Sequence, residues 1–340
     1  MLPKKRKITK KAKDMGILFQ DKASKTKKSI TAHKTQKKQV ASYARVFVAG
    51  GSRPGSNPIY EQQAFELGKE ISRQNYQLTF GLSSRGIMGA VAKGVMSEWL
   101  KKKKRIPTPI QGITTQHYKK LYPSDDVAGV KDIVISNTLE QRKANLLEAD
   151  FVIFAPGGVG TLDELSYNCI AMQDGFLNVK PFVLFNVDGF FHHLLEYLKD
   201  IHIKGFSDSV PFIVVDNIFE VRIAFEMIDH YYDKKKQNKQ QALDAVNKIV
   251  YNLPYVIEQQ QQHPNIPVSK LLKNIDAVLR GTLTKQKQDL QKEMETAYLN
   301  KEIARMYDRL AKTGRDTALV SHKLSLLKNR QRHGGANGFY

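Results

Sequence analysis

From Arg45 to about Tyr232 the chain repeats one pattern: a short, nearly uninterrupted apolar run, a small-residue or polar connection, then a stretch with helical periodicity. Seven such runs read as strands: "RVFVAGG", "YQLTFG", "PIQGIT", "DIVIS", "DFVIFA", "PFVLFNV" and "PFIVV". Between them lie "NPIYEQQAFELGKEISRQ", "RGIMGAVAKGVMSEWL", "NTLEQRKANLLEA", "TLDELSYNCIAMQ" and "FFHHLLEYLKDIH", each with apolar residues spaced for one helix face. Strands that are apolar throughout must be buried on both sides. Alternation with helices therefore predicts an α/β chain whose parallel sheet is covered on both faces, a doubly wound arrangement. Ligands of such sheets bind beyond the carboxyl ends of the strands, where strand-to-helix loops converge. The informative loops are "GGSRPGSN", "GLSSRG" and "PGGVGT", which follow the first, second and fifth runs.

The flanks obey other rules. Residues 1–40 carry +12 of the chain's formal charge of +21, and their one apolar cluster is Ile17, Leu18 and Phe19. That is too little apolar surface to offset the entropy of ordering forty residues, so a basic disordered tail is expected there. Its opening "PKKRK" resembles a nuclear localisation signal or a polyanion anchor, and fits a merely solvated tail equally well. Beyond "DKKKQNKQQ" the composition turns to Lys, Gln and Leu at helical spacing, predicting helices in "QQALDAVNKIVYNL", "VSKLLKNIDAVL" and "KQKQDLQKEMETAYLNKEIARMYDRLAK". The breakers "EQQQQHPNIP" and "RGT" separate them, and "RQRHGGANGFY" reads as a frayed end. The expected organisation is thus a tail over 1–40, an α/β domain over 41–232 and a helical extension over 233–340.

A single cysteine, Cys169, excludes an internal disulfide and a cysteine-based zinc site. No apolar stretch reaches the roughly 18–20 residues of a membrane span, and the basic N-terminus lacks a signal peptide's apolar segment. A cytoplasmic protein is expected, with nuclear targeting by the tail as a variant of that expectation. His192 and His193 are adjacent, whereas a helical metal pair needs a spacing of three or four, and the other histidines are scattered. No metal and no organic cofactor are expected.

The fifth loop, "PGGVGTLDE", has two readings. A helix preceded by glycines exposes free N–H groups and the positive end of its dipole, so Gly157, Gly158, Gly160 and Thr161 would cradle a phosphate. Neither the Walker loop nor the dinucleotide fingerprint has this spacing. Alternatively, Thr161 to Glu164 is a capping box, with Glu164 bonding back to the start of its own helix.

The same nine residues match the PGGxGTxxE motif of the LOG (Lonely Guy) family of phosphoribohydrolases, a family often labelled lysine decarboxylases. "EQRKANLLEADFVIFA" is similar to its xxRK helix and following strand, and "KPFVLFNVDGFFHHLLEYL" to its KPxxLxNxxGyyxxLL segment. "VFVAGGSRPGSNPIYEQQAFELGKEI" and "GIMGAVAKGVM" resemble its first strand-loop-helix and its GLMG helix. The matches run in order over roughly residues 45–230. They imply a Rossmann-like catalytic domain that hydrolyses the N-glycosidic bond of a nucleoside 5′-monophosphate, AMP or a cytokinin-type ribotide, to base and ribose 5-phosphate.

The resemblance also implies site residues. Glu164 would be the catalytic carboxylate, stabilising the positive charge that develops on the ribose and orienting water. Arg142 would be the catalytic arginine, its planar fork holding phosphate or the departing base. Lys143 beside it, Gly51 and Ser52 in the first loop, and Gly81, Ser83, Gly86 and Met88 around the second complete the substrate and phosphate contacts with Gly157, Gly158, Gly160 and Thr161. Asp163 points about 100° away from Glu164 on a helix, so no facing acid/base pair is expected. Leu82 and Ser83 stand where the family commonly has glycine, which would narrow the space for phosphate or ribose. Arg85 there offers an extra phosphate contact or is simply an exposed loop arginine. A homodimer is implied as well. Two other function classes fit the sequence: a non-catalytic carrier of a nucleotide or phosphorylated cofactor in the same loops, and a nucleic-acid-binding protein acting through the basic tail, "KKKKR" at 101–105 and the basic C-terminal helices. The simultaneous presence of Arg142 and Glu164 favours the enzyme over the carrier. Against the nucleic-acid reading, the tail lacks the interleaved aromatics of single-strand binders.

Overall fold

The computed structural model describes residues 43–103, 106–122, 127, 129–208, 211–233, 238–279, 292–294 and 296–305. The basic tail, part of "KKKKR", the "RGT" breaker and the terminal "RQRHGGANGFY" lie outside the described residues. Seven strands form one sheet: β1 (Arg45–Ala49), β2 (Gln77–Phe80), β3 (Ile110–Thr115), β4 (Asp132–Ser136), β5 (Phe151–Phe154), β6 (Phe182–Phe185) and β7 (Ile213–Val215). All six pairings are parallel, in the order β4-β3-β2-β1-β5-β6-β7. The chain therefore builds outward from β1 to β4, then returns to lay β5 against the other side of β1. At such a reversal the crevice beyond the carboxyl ends of the strands is where doubly wound sheets bind their ligands.

Alternation within the strands explains the unbroken apolar runs. Val46 and Val48 of β1, Phe151 and Ile153 of β5, and Val183 and Phe185 of β6 face one core, while Phe47, Ala49, Val152, Phe154, Phe182 and Leu184 face the other. The first core is closed by α1 (Ile59–Arg73), α2 (Gly86–Trp99) and α7 (Ile218–Tyr231). The second is closed by α4 (Leu139–Leu146), α5 (Val159–Gln173) and α6 (His192–Ile203). A short α3 (Gln116–Leu121), capped by the Thr115 hydroxyl accepting from the Tyr118 amide, follows β3. It was not expected from periodicity because six residues make too few turns to show any.

The C-terminal helices α8 (Lys239–Gln262) and α9 (Val268–Leu279) thicken the first face. Ile249, Leu253, Val256, Leu272 and Ile275 join the same core as α7. The expected end of α8 near Leu253 is corrected: the helix continues through Pro254 to Gln262. An interior proline costs about 3 kcal/mol. The next turn buries Val256 and Ile257, each worth roughly 1.5–3 kcal/mol when fully buried, which offsets that cost. Residues 296–305 are helical and return to the carboxyl end of β7, where Arg305 pairs with Asp216 at 3.3 Å and Lys301 with Glu220 at 2.9 Å. Among the described residues no helix is long and apolar enough to cross a membrane.

Candidate functional site

Two helices bring the central pair together. α4 starts cleanly because the Thr138 hydroxyl accepts from the Gln141 amide, and this puts Arg142 in the first full turn, aimed at the sheet. Its Nε donates to the Ile113 carbonyl at 3.1 Å and its Nη2 to the Gly81 carbonyl at 3.3 Å, so the guanidinium bridges the chain just past β2 and the middle of β3. The third nitrogen, Nη1, lies 3.6 Å from Oε1 of Glu164 on α5. Both side chains are nearly buried, with 12% and 13% exposure. A guanidinium anchored on two carbonyls cannot swing out to clasp a distant phosphate. It offers one edge to the crevice and fixes Glu164.

Burial pushes the Glu164 carboxyl up to about 7. Arg142 pulls against that shift, neighbouring Asp163 adds to it, and Lys143 opposes it. A carboxyl whose ionised form is disfavoured by burial is the kind of group that catalytic sites keep. Lys143 does not enter the crevice: it pairs with Asp163 at 3.1 Å and lies 5.1 Å from the centre of the Tyr167 ring. As expected, Asp163 and Glu164 diverge, one toward Lys143 and the other toward Arg142.

The helix start bears on one of the two readings of "PGGVGTLDE", the capping box. α5 begins at Val159 with Gly158 as its N-cap, and no side chain caps it. Thr161 is the third helical residue, so a capping box running from Thr161 to Glu164 does not form. The first-turn amides at this start have no capping side chain. The glycines divide by what surrounds them. A Cβ on Gly157 would collide with the Thr161 hydroxyl and stand 2.9 Å from the Gly51 amide, and one on Gly81 would strike Arg142. Gly86, at φ +58°, would meet the backbone of Arg53 at 2.5 Å. These three are glycine because protein packs there. Gly158 and Gly160 face open space, with nothing within 4 Å of a built Cβ.

The other sequence-predicted residues close the crevice. The Gly51 amide donates to the Pro156 carbonyl at 3.0 Å, and the Met88 amide to the Gly51 carbonyl at 3.2 Å, which ties the loops after β1, β2 and β5 together. Ser52 is exposed beside them, and Thr161 is buried. Ser83 is buried too, its hydroxyl accepting from the Arg85 amide at 3.3 Å. The expectation that Leu82 narrows the site is corrected. With φ +57°, Leu82 turns its side chain into the core against Gly112, whose built Cβ would lie 2.5 Å from it. A left-handed leucine costs about 1–2 kcal/mol, and burial of the side chain offsets that cost.

Two groups escaped the sequence reading. Lys180 is 6% exposed and donates to the carbonyls of Leu147 and Ala149, closing the C-terminal end of α4 and so supporting the helix that carries Arg142. Tyr118 on α3 lies with its ring centre 5.4 Å from the Arg142 guanidinium. Its signal was available, since "QHYKKLY" also follows a strand of a parallel sheet. Among the described residues no three His, Cys, Asp or Glu side chains come together as a metal cluster.

A sequence family described as "Possible lysine decarboxylase" matches residues 88–222. A cytokinin riboside 5′-monophosphate phosphoribohydrolase of Arabidopsis thaliana is 32% identical over 221 residues, which cover 62% of this chain and 92% of that protein. A second from Arabidopsis is 27% identical over 212 residues, covering 62% and 91%. A rice protein named "Probable cytokinin riboside 5′-monophosphate phosphoribohydrolase" is 34% identical over 170 residues; the match spans 48% of this chain and 63% of the rice protein. Among solved structures, a molybdenum cofactor carrier protein of Chlamydomonas reinhardtii aligns with a TM-score of 0.41 and 18% identity, over 56% of this chain and 99% of the carrier.

Proposed function

This chain belongs to the LOG family, and on that premise we propose that it is a phosphoribohydrolase cleaving the N-glycosidic bond of a nucleoside 5′-monophosphate. The observation that carries the proposal is the Arg142–Glu164 pair, one turn into a helix whose uncapped, glycine-flanked start opens on the same crevice. The 5′-phosphate would rest on the amides of Gly158, Val159, Gly160 and Thr161. Gly158 and Gly160 would be glycine to admit it, because nothing in the chain itself requires their lack of a side chain.

With the phosphate held there, Glu164 faces C1′ of the ribose. As the bond from C1′ to the base nitrogen lengthens, its electron pair leaves with the base and positive charge grows on the ribose. The ionised carboxylate stabilises that charge and takes a proton from the water whose oxygen bonds to C1′. The proton that Glu164 takes from the water passes on to the base nitrogen, which restores the carboxylate, and the products are free base and ribose 5-phosphate. Arg142 keeps Glu164 in place and offers Nη1 to the departing base. Cytokinin-type ribotides are the substrates suggested by the names of the Arabidopsis relatives, and AMP, which carries the same ribose 5′-phosphate on an unmodified adenine, belongs to the same class.

A homodimer forms part of the proposal. The second face of the sheet has a single helix layer, α6 has no fully buried residue, and Val159, Leu162, Ile170, Phe176, Tyr197, Ile203 and Phe206 stand exposed on or just beyond α5 and α6.

Incubation of the full chain with a panel of nucleoside 5′-monophosphates and their nucleosides, assayed for free base, tests the function. Release from at least one nucleotide, and far less from its nucleoside, is expected. Equal release from both would remove the phosphate cradle, and no release from any would remove the hydrolase.

A further inference from the structure

Beside the catalytic pair the side chains form a ladder that the mechanism above does not use. The Arg142 guanidinium lies 5.4 Å from the Tyr118 ring centre, Tyr118 lies 6.3 Å from Tyr122 with the rings tilted by 31°, and Tyr122 lies 5.6 Å from the Arg85 guanidinium. Two neighbouring tyrosines thus lie between two arginines, from the buried pair outward to the N-cap of α2. Ordinary core packing does not account for it. α3 has no buried residue, and Tyr122 and Leu121 are 45% and 54% exposed. Half-exposed aromatic rings beside guanidinium groups suit a flat, π-rich ligand, because every nucleobase has a face that stacks on such side chains.

Resting on the hydrolase reading, we propose that Tyr118 is the residue against which the nucleobase stacks, with Tyr122 and Arg85 extending that platform outward. The order of groups supports this. The phosphate cradle leads to Glu164, Glu164 to Arg142 at 3.6 Å, and Arg142 to Tyr118. In a nucleotide the base lies beyond C1′ from the phosphate, so with C1′ at Glu164 it falls on the Arg142–Tyr118 side. Arg142 is held by the Gly81 and Ile113 carbonyls independently of Tyr118, so the ring's role separates from the arginine's.

The test is calorimetric binding of AMP and of ribose 5-phosphate to the full-length protein, with Glu164→Gln as background so that AMP remains intact. Tyr118→Ala should weaken AMP by about 5- to 150-fold, the range for loss of one stacked base, and leave ribose 5-phosphate unchanged. Tyr118→Phe and Tyr118→Trp should restore AMP binding, which also covers a Tyr118→Ala protein that fails to fold. Equal weakening of both ligands, or unchanged AMP affinity, overturns the stacking role while leaving the hydrolase intact. If the protein with Tyr118 present binds neither compound, the hydrolase reading falls and the platform with it.

Discussion

Glu164 is where the physics of one side chain is most exposed to measurement. Its carboxyl is pushed up to about 7, first by burial, with Asp163 adding to the shift and Arg142 and Lys143 opposing it. If the ionised form is the working one, kcat/KM rises with pH through an apparent value near 7 and levels off above it. Replacing Asp163 with Asn removes a charge that raises the carboxyl, so the profile should move to lower pH. Lys143→Met should move it the other way. A pH–rate profile of the three proteins from about pH 5.5 to about pH 8.5 checks this, and a flat profile would detach Glu164 from the chemistry. The same shift links to stability. A carboxyl whose folded value lies above its unfolded one stabilises the fold fully only below the ordinary glutamate range, and that contribution is lost as pH rises through about 7. At pH 8 the ionised Glu164 is therefore a net cost to folding, of up to about 3 kcal/mol.

At the level of elements, all seven strands were legible as bounded apolar runs, because the central ones are buried on both faces, while the edge strand β4, with Ile135 exposed, still reads as one through its β-branched residues. The ends were not. α5 starts at Val159, two residues before the expected Thr161, because the glycine in "GVGT" reads as a loop signal while the free crevice lets the backbone wind there. α8 runs through Pro254 because tertiary burial of Val256 and Ile257 outweighs a local penalty that a sequence window registers alone. The site was legible to the extent that it sits in one motif. The family resemblance pointed to Arg142 and Glu164, and their 3.6 Å separation brings together α4 and α5, 22 residues apart in the chain. Lys180 acts through contacts across 31–33 residues and Tyr118 through one between two separate helices, α3 and α4, which no local pattern records. Leu82 shows the opposite error: a side chain judged to fill the site fills the core, because a left-handed backbone reverses where it points.

At the scale of the whole molecule, the two faces of the sheet are covered unequally. α8 and α9 add a second layer over α7, while α5 and α6 leave Ile170, Tyr197, Ile203 and Phe206 exposed. A second copy covering this thin face predicts a dimer in sedimentation equilibrium that Ile203→Glu dissociates. A monomeric wild-type chain would contradict it. On the proposed mechanism the chain gives up stability at Glu164 to hold a charge where a ribose cation develops. Single-turnover release of base from a nucleoside 5′-monophosphate at pH 8 by Glu164→Gln, read with its thermal midpoint, tests that claim most directly. A rate lower by about 10² or more, nucleotide still bound, and a midpoint raised above that of the wild type are expected. Base release at the wild-type rate would contradict that mechanism.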